Sequence, residues 1–159
     1  MSRALPHLAR RFFGSLQAAP LSPADQAEAA ALLRGAERPL FWGQAPADQR
    51  HGLECARAVL AGCPGRRDLA RAALLHDVGK RHARLGPIGR ALATTLGFLH
   101  LPARGGAAAY LAHAVLGAAD LAATGAEPLV VGYARHHHTG RPADISPEDW
   151  TALYRADHA

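Results

Sequence analysis

Apolar residues recur along most of this chain at helical spacing, and Ser-Pro, Gly and Pro punctuation marks off the segments in which they do so. Ser22-Pro23-Ala24-Asp25 offers a capping hydroxyl, a proline at the first helical position and an acid in the first turn, which predicts a helix from there to a stop at Gly35. The same grammar returns at Ser146-Pro147-Glu148-Asp149 and opens a helix through Trp150 towards Asp157. Between these, one helix is predicted from about Ala47 to Ala61, ending at Gly62, and another from about Arg67 to Asp77, ending near Gly79. After an irregular stretch at Gly86-Pro87 and a short helix through Leu92, a single alanine-rich helix is predicted over about Gly106 to Thr124, closed by Gly125. Pro128 starts one more, ending near Gly140-Arg141-Pro142.

Strand signals are weak: the apolar run Leu129-Val130-Val131 follows a proline and continues into helix-compatible Tyr133-Ala134. The expectation is an all-α fold, a single compact helical bundle of about six to eight helices. The abundance of alanine and leucine and the scarcity of isoleucine and aromatics push the same way. No repeat, heptad series or divisive linker appears, so residues 21–159 are read as one domain, with residues 1–20 as a loosely ordered leading segment.

The formal charge of +5 and a pI near 10.0 favour an anionic partner, such as a small phosphate-containing molecule or nucleotide. The arginines are scattered, with no basic tail and no aromatic stacking series, which argues against a dedicated nucleic-acid binder. Cys55 and Cys63 match neither a zinc knuckle nor a redox pair. His7, Arg10 and Arg11 interrupt the first residues, and no later run approaches about 20 apolar residues; a cytoplasmic protein without a membrane partner is the expectation.

Ten histidines change the picture, because several fall on apolar helical stripes. His76 and Asp77 follow Leu69, Ala72, Ala73 and Leu74 at helical spacing, His113 shares a face with Tyr110 and Gly117, His137 follows Val130 and Tyr133, and Asp157 follows Trp150 and Leu153. An ionised carboxylate on an apolar face needs a cation or hydrogen-bond partner to offset desolvation, so two such acids among inward histidines suggest a metal. Imidazole with carboxylate suits iron, manganese or zinc.

Leu74-Leu75-His76-Asp77-Val78-Gly79-Lys80 resembles the signature of the HD-domain superfamily of metal-dependent phosphohydrolases. The resemblance extends from residue 48 to residue 157: an early histidine matches His51, a late aspartate matches Asp157, and two optional histidines match His113 and His137, with His138 second to His137. What it implies is an all-helical domain holding one or two divalent transition-metal ions, iron or manganese first and zinc, nickel, cobalt or magnesium after them. Asp77 would bridge the two ions, with His51, His76 and Asp157 completing one coordination sphere and His113 and His137 serving the other. Phosphomonoester or phosphodiester hydrolysis by a metal-activated water follows from it. Lys80 is placed to meet a substrate phosphate, with Arg50 and Arg135 as further candidates. The glycine-tyrosine-proline element of the related HD-GYP proteins is replaced by Thr139-Gly140-Arg141-Pro142, which weighs against cyclic-dinucleotide hydrolysis. The same ligand set also resembles that of HD-fold di-iron oxygenases, and a non-catalytic nucleotide-binding module is a third alternative. His7, His82 and His100 fall outside the pattern.

Overall fold

Proline starts and helix formers set the architecture. The computed structural model describes residues 19–158, and within them the fold is all-α. The elements are α1 (Pro23–Leu32), α2 (Arg38–Trp42), α3 (Pro46–Gly62), α4 (Arg67–Leu75), α5 (Pro87–Phe98), α6 (Gly105–Leu111), α7 (His113–Ala123), α8 (Pro128–His136) and α9 (Pro147–Asp157), with 3₁₀ turns at Gly35–Glu37 and Val78–His82. Five of these helices begin on a proline, whose fixed φ and missing N–H suit a first helical residue. Ser22 and Ser146 cap α1 and α9 as read, their hydroxyls accepting from the Asp25 and Asp149 amides. His7 and the leading segment expected to be loosely ordered lie outside the described residues, apart from Ala19 and Pro20.

All of Leu69 to Leu75 is buried, which makes α4 the axis of the bundle. It packs against α1, α3, α8 and α9, and Phe41, Leu53, Val59, Leu121, Val130, Tyr133, Ile145 and Leu153 complete the surrounding core. The axis carries one buried cation, Arg71, paired with Glu37 and Glu127 so that its charge is not left alone in the core. Among the described residues no single helix is long and apolar enough to cross a membrane; α6 and α7 reach that length and composition only together, and they are bent by 74°.

Several boundaries differ from the sequence reading. Helix α1 stops at Leu32, and Gly35 opens a 3₁₀ turn instead of ending the helix. Helix α4 ends at Leu75, so His76 caps it and Asp77 lies beyond it. Helix α5 runs on to Phe98, past Leu92, with the Thr94 and Thr95 hydroxyls bonded back to the carbonyls one turn earlier. The long alanine-rich helix is two helices, broken at Ala112 (φ −92°, ψ 7°). This break and the short α2 raise the count to nine among the described residues, above the six to eight expected.

The break follows from packing. The turn Val78–His82 lies against α6 and α7, and a Cβ built on Gly79 would stand 1.9 Å from the His113 carbonyl oxygen and 2.6 Å from the Gly117 amide nitrogen. Backbone meets backbone there, and a straight helix through Ala112 would not bring the start of α7 to that contact. Gly52 works similarly between α3 and α4: its Cβ would sit 2.6 Å from the Leu74 carbonyl oxygen. Gly79→Ala is therefore expected to cost about 3 kcal/mol in denaturant unfolding, because rigid backbone must move. Gly62→Ala, with open space around its Cβ, should shift stability by less than about 1 kcal/mol and in the favourable direction.

Candidate metal centre

The close contacts at Gly52 and Gly79 flank the groups that the sequence singles out. His51 comes from α3, His76 and Asp77 from the end of α4, His113 from the first residue of α7, His137 from the end of α8 and Asp157 from the last residue of α9. Their side chains meet. His51 Nε2 lies 2.9 Å and His76 Nε2 3.4 Å from Asp157 Oδ1. His76 Nε2 is also 3.4 Å from Asp77 Oδ2, while His113 Nε2 and His137 Nε2 stand 3.3 and 3.6 Å from Asp77 Oδ1. The Asp77 carboxylate thus has one oxygen towards the His51, His76 and Asp157 group and the other towards His113 and His137. His138 Nε2 stands 3.1 Å from His113 Nε2, at the exposed edge of the cluster.

Helix ends explain how the rings are held. His76, His113 and His137 each present Nδ1 to the carbonyl three residues earlier, that of Ala73, Tyr110 and Ala134, at 2.7, 2.6 and 2.9 Å. A carbonyl only accepts, so Nδ1 carries the hydrogen and donates it, and in the neutral ring Nε2 is a lone pair aimed into the cluster. His113 makes this bond because the helix breaks just before it. The C-terminal ends of α4, α6, α8 and α9 therefore converge here, adding their negative dipole ends to two carboxylates.

Lone pairs facing lone pairs need a cation between them. Asp77 Oδ1 and His137 Nε2 are buried and have no hydrogen-bond partner, an arrangement that costs on the order of 1–3 kcal/mol for each such atom. Three sets, His51/His76/Asp77 and His51/Cys55/Asp157, which share His51, and the separate His113/His137/His138, each bring their ligand atoms within 4.8 Å of one another, which is the geometry of groups that could hold a metal ion. The donor chemistry and the orphaned atoms both fit such an ion, with neutral imidazole and ionised carboxylate as the ligand forms.

Without a metal, protons and Lys80 share that duty. Burial alone would drive the His76 imidazolium pKa down, but the Asp77 and Asp157 carboxylates outweigh it and lift it to about 10. Burial would raise Asp77, yet Lys80 and His76 hold it well below the ordinary carboxylate value, and Asp157 is lowered against its own burial by His51 and His76. His137 is lowered by burial, and His138 falls to about 3 through burial and the neighbouring His137 and His113. Lys80 is itself buried, and its ammonium donates to Asp77 Oδ2.

Arg50 and Arg135 are not brought to the cluster. The Arg50 guanidinium donates to the Ala19 and Pro20 carbonyls, and Arg135 is exposed on α8. His136 turns to Thr139, His82 is paired with Asp120, and His100 is exposed. The cation that does stand beside the centre is Arg90, whose two terminal nitrogens each lie 2.7 Å from an oxygen of buried Asp48, one turn before His51. Its position on an otherwise apolar helix gave no spacing signal. Cys55 was legible only as the i+4 neighbour of His51; its Sγ lies 3.7 Å from His51 Nε2. A cleft between α3 and α9, lined by Val59, Cys63, Thr151 and Arg155, contains none of the ligand candidates.

Comparison with known proteins finds no matching family model, no matching curated protein and no matching solved structure.

The two kinds of shift act in opposite pH ranges. His76, raised from 6.5 to about 10, stabilises the metal-free fold fully below pH 6.5, and that contribution is lost as pH rises through 10. Asp77 and Asp157, lowered from 3.8, stabilise it above that value and cease to do so as pH falls below it. His137 and His138, lowered from 6.5, take stability away as pH falls below 6.5, so thermal unfolding of chelator-treated protein should be highest near pH 6.5 and decline steadily towards pH 10. A melting temperature that climbs over that alkaline range contradicts the assignment of His76.

Proposed function

We propose that this chain is a metal-dependent phosphohydrolase of the HD type, acting on a small phosphate mono- or diester of nucleotide-like character with one or two ions of iron or manganese. The observation that carries the reading is the Asp77 carboxylate: buried, and set between the His51, His76 and Asp157 group and the His113 and His137 pair. A carboxylate so placed suits the bridging role that the His-Asp signature implies. When bound, the ions supply a water acidic enough to attack near neutral pH and positive charge for the phosphoryl oxygens.

The chain's own residues do the remaining work. Asp77 joins the two halves of the centre, and Asp157 orients His51 and shares His76 with it. The Nδ1 bonds to Ala73, Tyr110 and Ala134 fix three rings without using their coordinating atoms. Lys80 holds Asp77 by an ion pair, and its ammonium would be the donor for a substrate phosphate oxygen. The Arg90–Asp48 pair fixes a second cationic group beside His51. Overall charge of +5 supports an anionic substrate. Arg141, where HD-GYP proteins continue their own element, is tied to the Ile145 carbonyl at 2.7 Å, and cyclic dinucleotides are not part of the proposal.

Metal analysis of purified protein is expected to find between about one and two transition-metal ions per chain, lost in the double variant His76→Ala, Asp77→Ala. Phosphate release from phosphomonoesters, nucleotides or phosphodiesters should fall by at least about a hundredfold in Asp77→Ala. Equal rates in wild type and variant would defeat the hydrolase reading, and oxygen uptake without phosphate release would transfer the site to oxygenase chemistry.

A further inference from the structure

Among the described residues, every exposed large apolar side chain except Tyr154 lies between Ile88 and Val115. Phe98 is 82% and Ile88 78% exposed, and Leu92, Leu99, Leu101 and Leu111 are exposed with them. They belong to a hairpin of α5 and α6, in which Ala93 is the only buried residue of α5 and α6 has none, and which rests on the bundle through the contacts of α6 with the Val78–His82 turn and α7. An apolar surface of this kind, gathered on one protruding element, is covered by something in use.

Charge narrows what covers it. From Val78 to Ala119 the chain contains no aspartate or glutamate, while Arg84, in the loop before α5, and Arg104, in the connection from α5 to α6, stand exposed and make no ion pair among the described residues. A second copy related by a two-fold axis would set these arginines against their own counterparts without an acid from either hairpin. Residues 1–18 also lack any acid and carry Arg3, Arg10 and Arg11, so they bring no complementary charge. The missing partner has to be both apolar and negative. Arg84 (φ 50°) and His100 (φ 53°), the two non-glycine residues with positive φ among the described residues, lie on either side of α5.

We propose that the α5–α6 hairpin docks on the surface of an anionic phospholipid bilayer, with its leucines, isoleucine and phenylalanine in the acyl boundary and Arg84 and Arg104 at the headgroups. This inference stands apart from the reaction assigned to the metal centre, although the two regions adjoin: Arg90 of α5 lies 5.9 Å over the Tyr110 ring, and the Tyr110 carbonyl receives the His113 Nδ1 hydrogen. A patch assembled from two helices and a loop is invisible to any search for a continuous apolar run, which is why the sequence predicted no membrane partner.

The test is sedimentation of the full-length protein with vesicles of phosphatidylcholine alone and of phosphatidylcholine with phosphatidylglycerol. Binding is expected only with phosphatidylglycerol, weakening as salt rises. It should fall at least about tenfold in Arg84→Glu/Arg104→Glu and be abolished in Leu92→Ser/Phe98→Ser/Leu101→Ser, both checked for unchanged helical content by circular dichroism. If the apolar variant does not fold, the charge variant decides alone. No preference for anionic vesicles, or binding that both variants retain, overturns the proposal. So does a dimer in sedimentation velocity that the apolar variant makes monomeric while neither protein binds vesicles, which would give the face to a second copy.

Discussion

A carboxylate buried as deeply as that of Asp77 has to be surrounded by positive charge, and meeting that demand organises this molecule. Lys80 answers it from one side, and three imidazoles stand at the other positions. Those imidazoles arrive from three different helices, so the helices must end where the carboxylate is. That requirement is met where α4 stops at Leu75 and α8 at His136, and where the Gly79 contact breaks the alanine-rich segment at Ala112. The glycines at 52 and 79 let backbones close on one another beside the ligands. Positions in the centre are set by main-chain contact, which side-chain repacking cannot easily relax.

The fold class and the candidate ligands were legible in the sequence for a simple physical reason. Capping serines, first-turn prolines and apolar stripes are local signals, and Ser22, Ser146 and Pro128 each mark a helix start that the structure has. Histidines and acids on apolar stripes turn inwards for equally local reasons. The break at Ala112 was not legible, because alanine favours helix continuation and the force that overrides it comes from Gly79, over thirty residues away in the chain. Arg50 misled for a related reason: nearness to His51 in sequence is not nearness in space, since side chains one residue apart point about 100° from each other around a helix. Arg90 holds Asp48 from across the fold instead.

The hairpin of α5 and α6 shows the opposite balance. Its stability rests little on the core, since almost nothing in it is buried, and yet it supplies the Tyr110 carbonyl that fixes one ring of the centre. Arg90 of α5 adds a second link, through Asp48 one turn before His51, so a surface element and a buried cluster share structure with little in between.

Four helix C-termini directed at one point have a further effect. Their negative dipole ends face the same point as the Asp77 and Asp157 carboxylates, and protonated His76 and Lys80 carry the balancing charge. A metal ion held there would take over the lone pair that the His76 proton uses, so ion and proton compete for one site and any metal affinity is tied to pH.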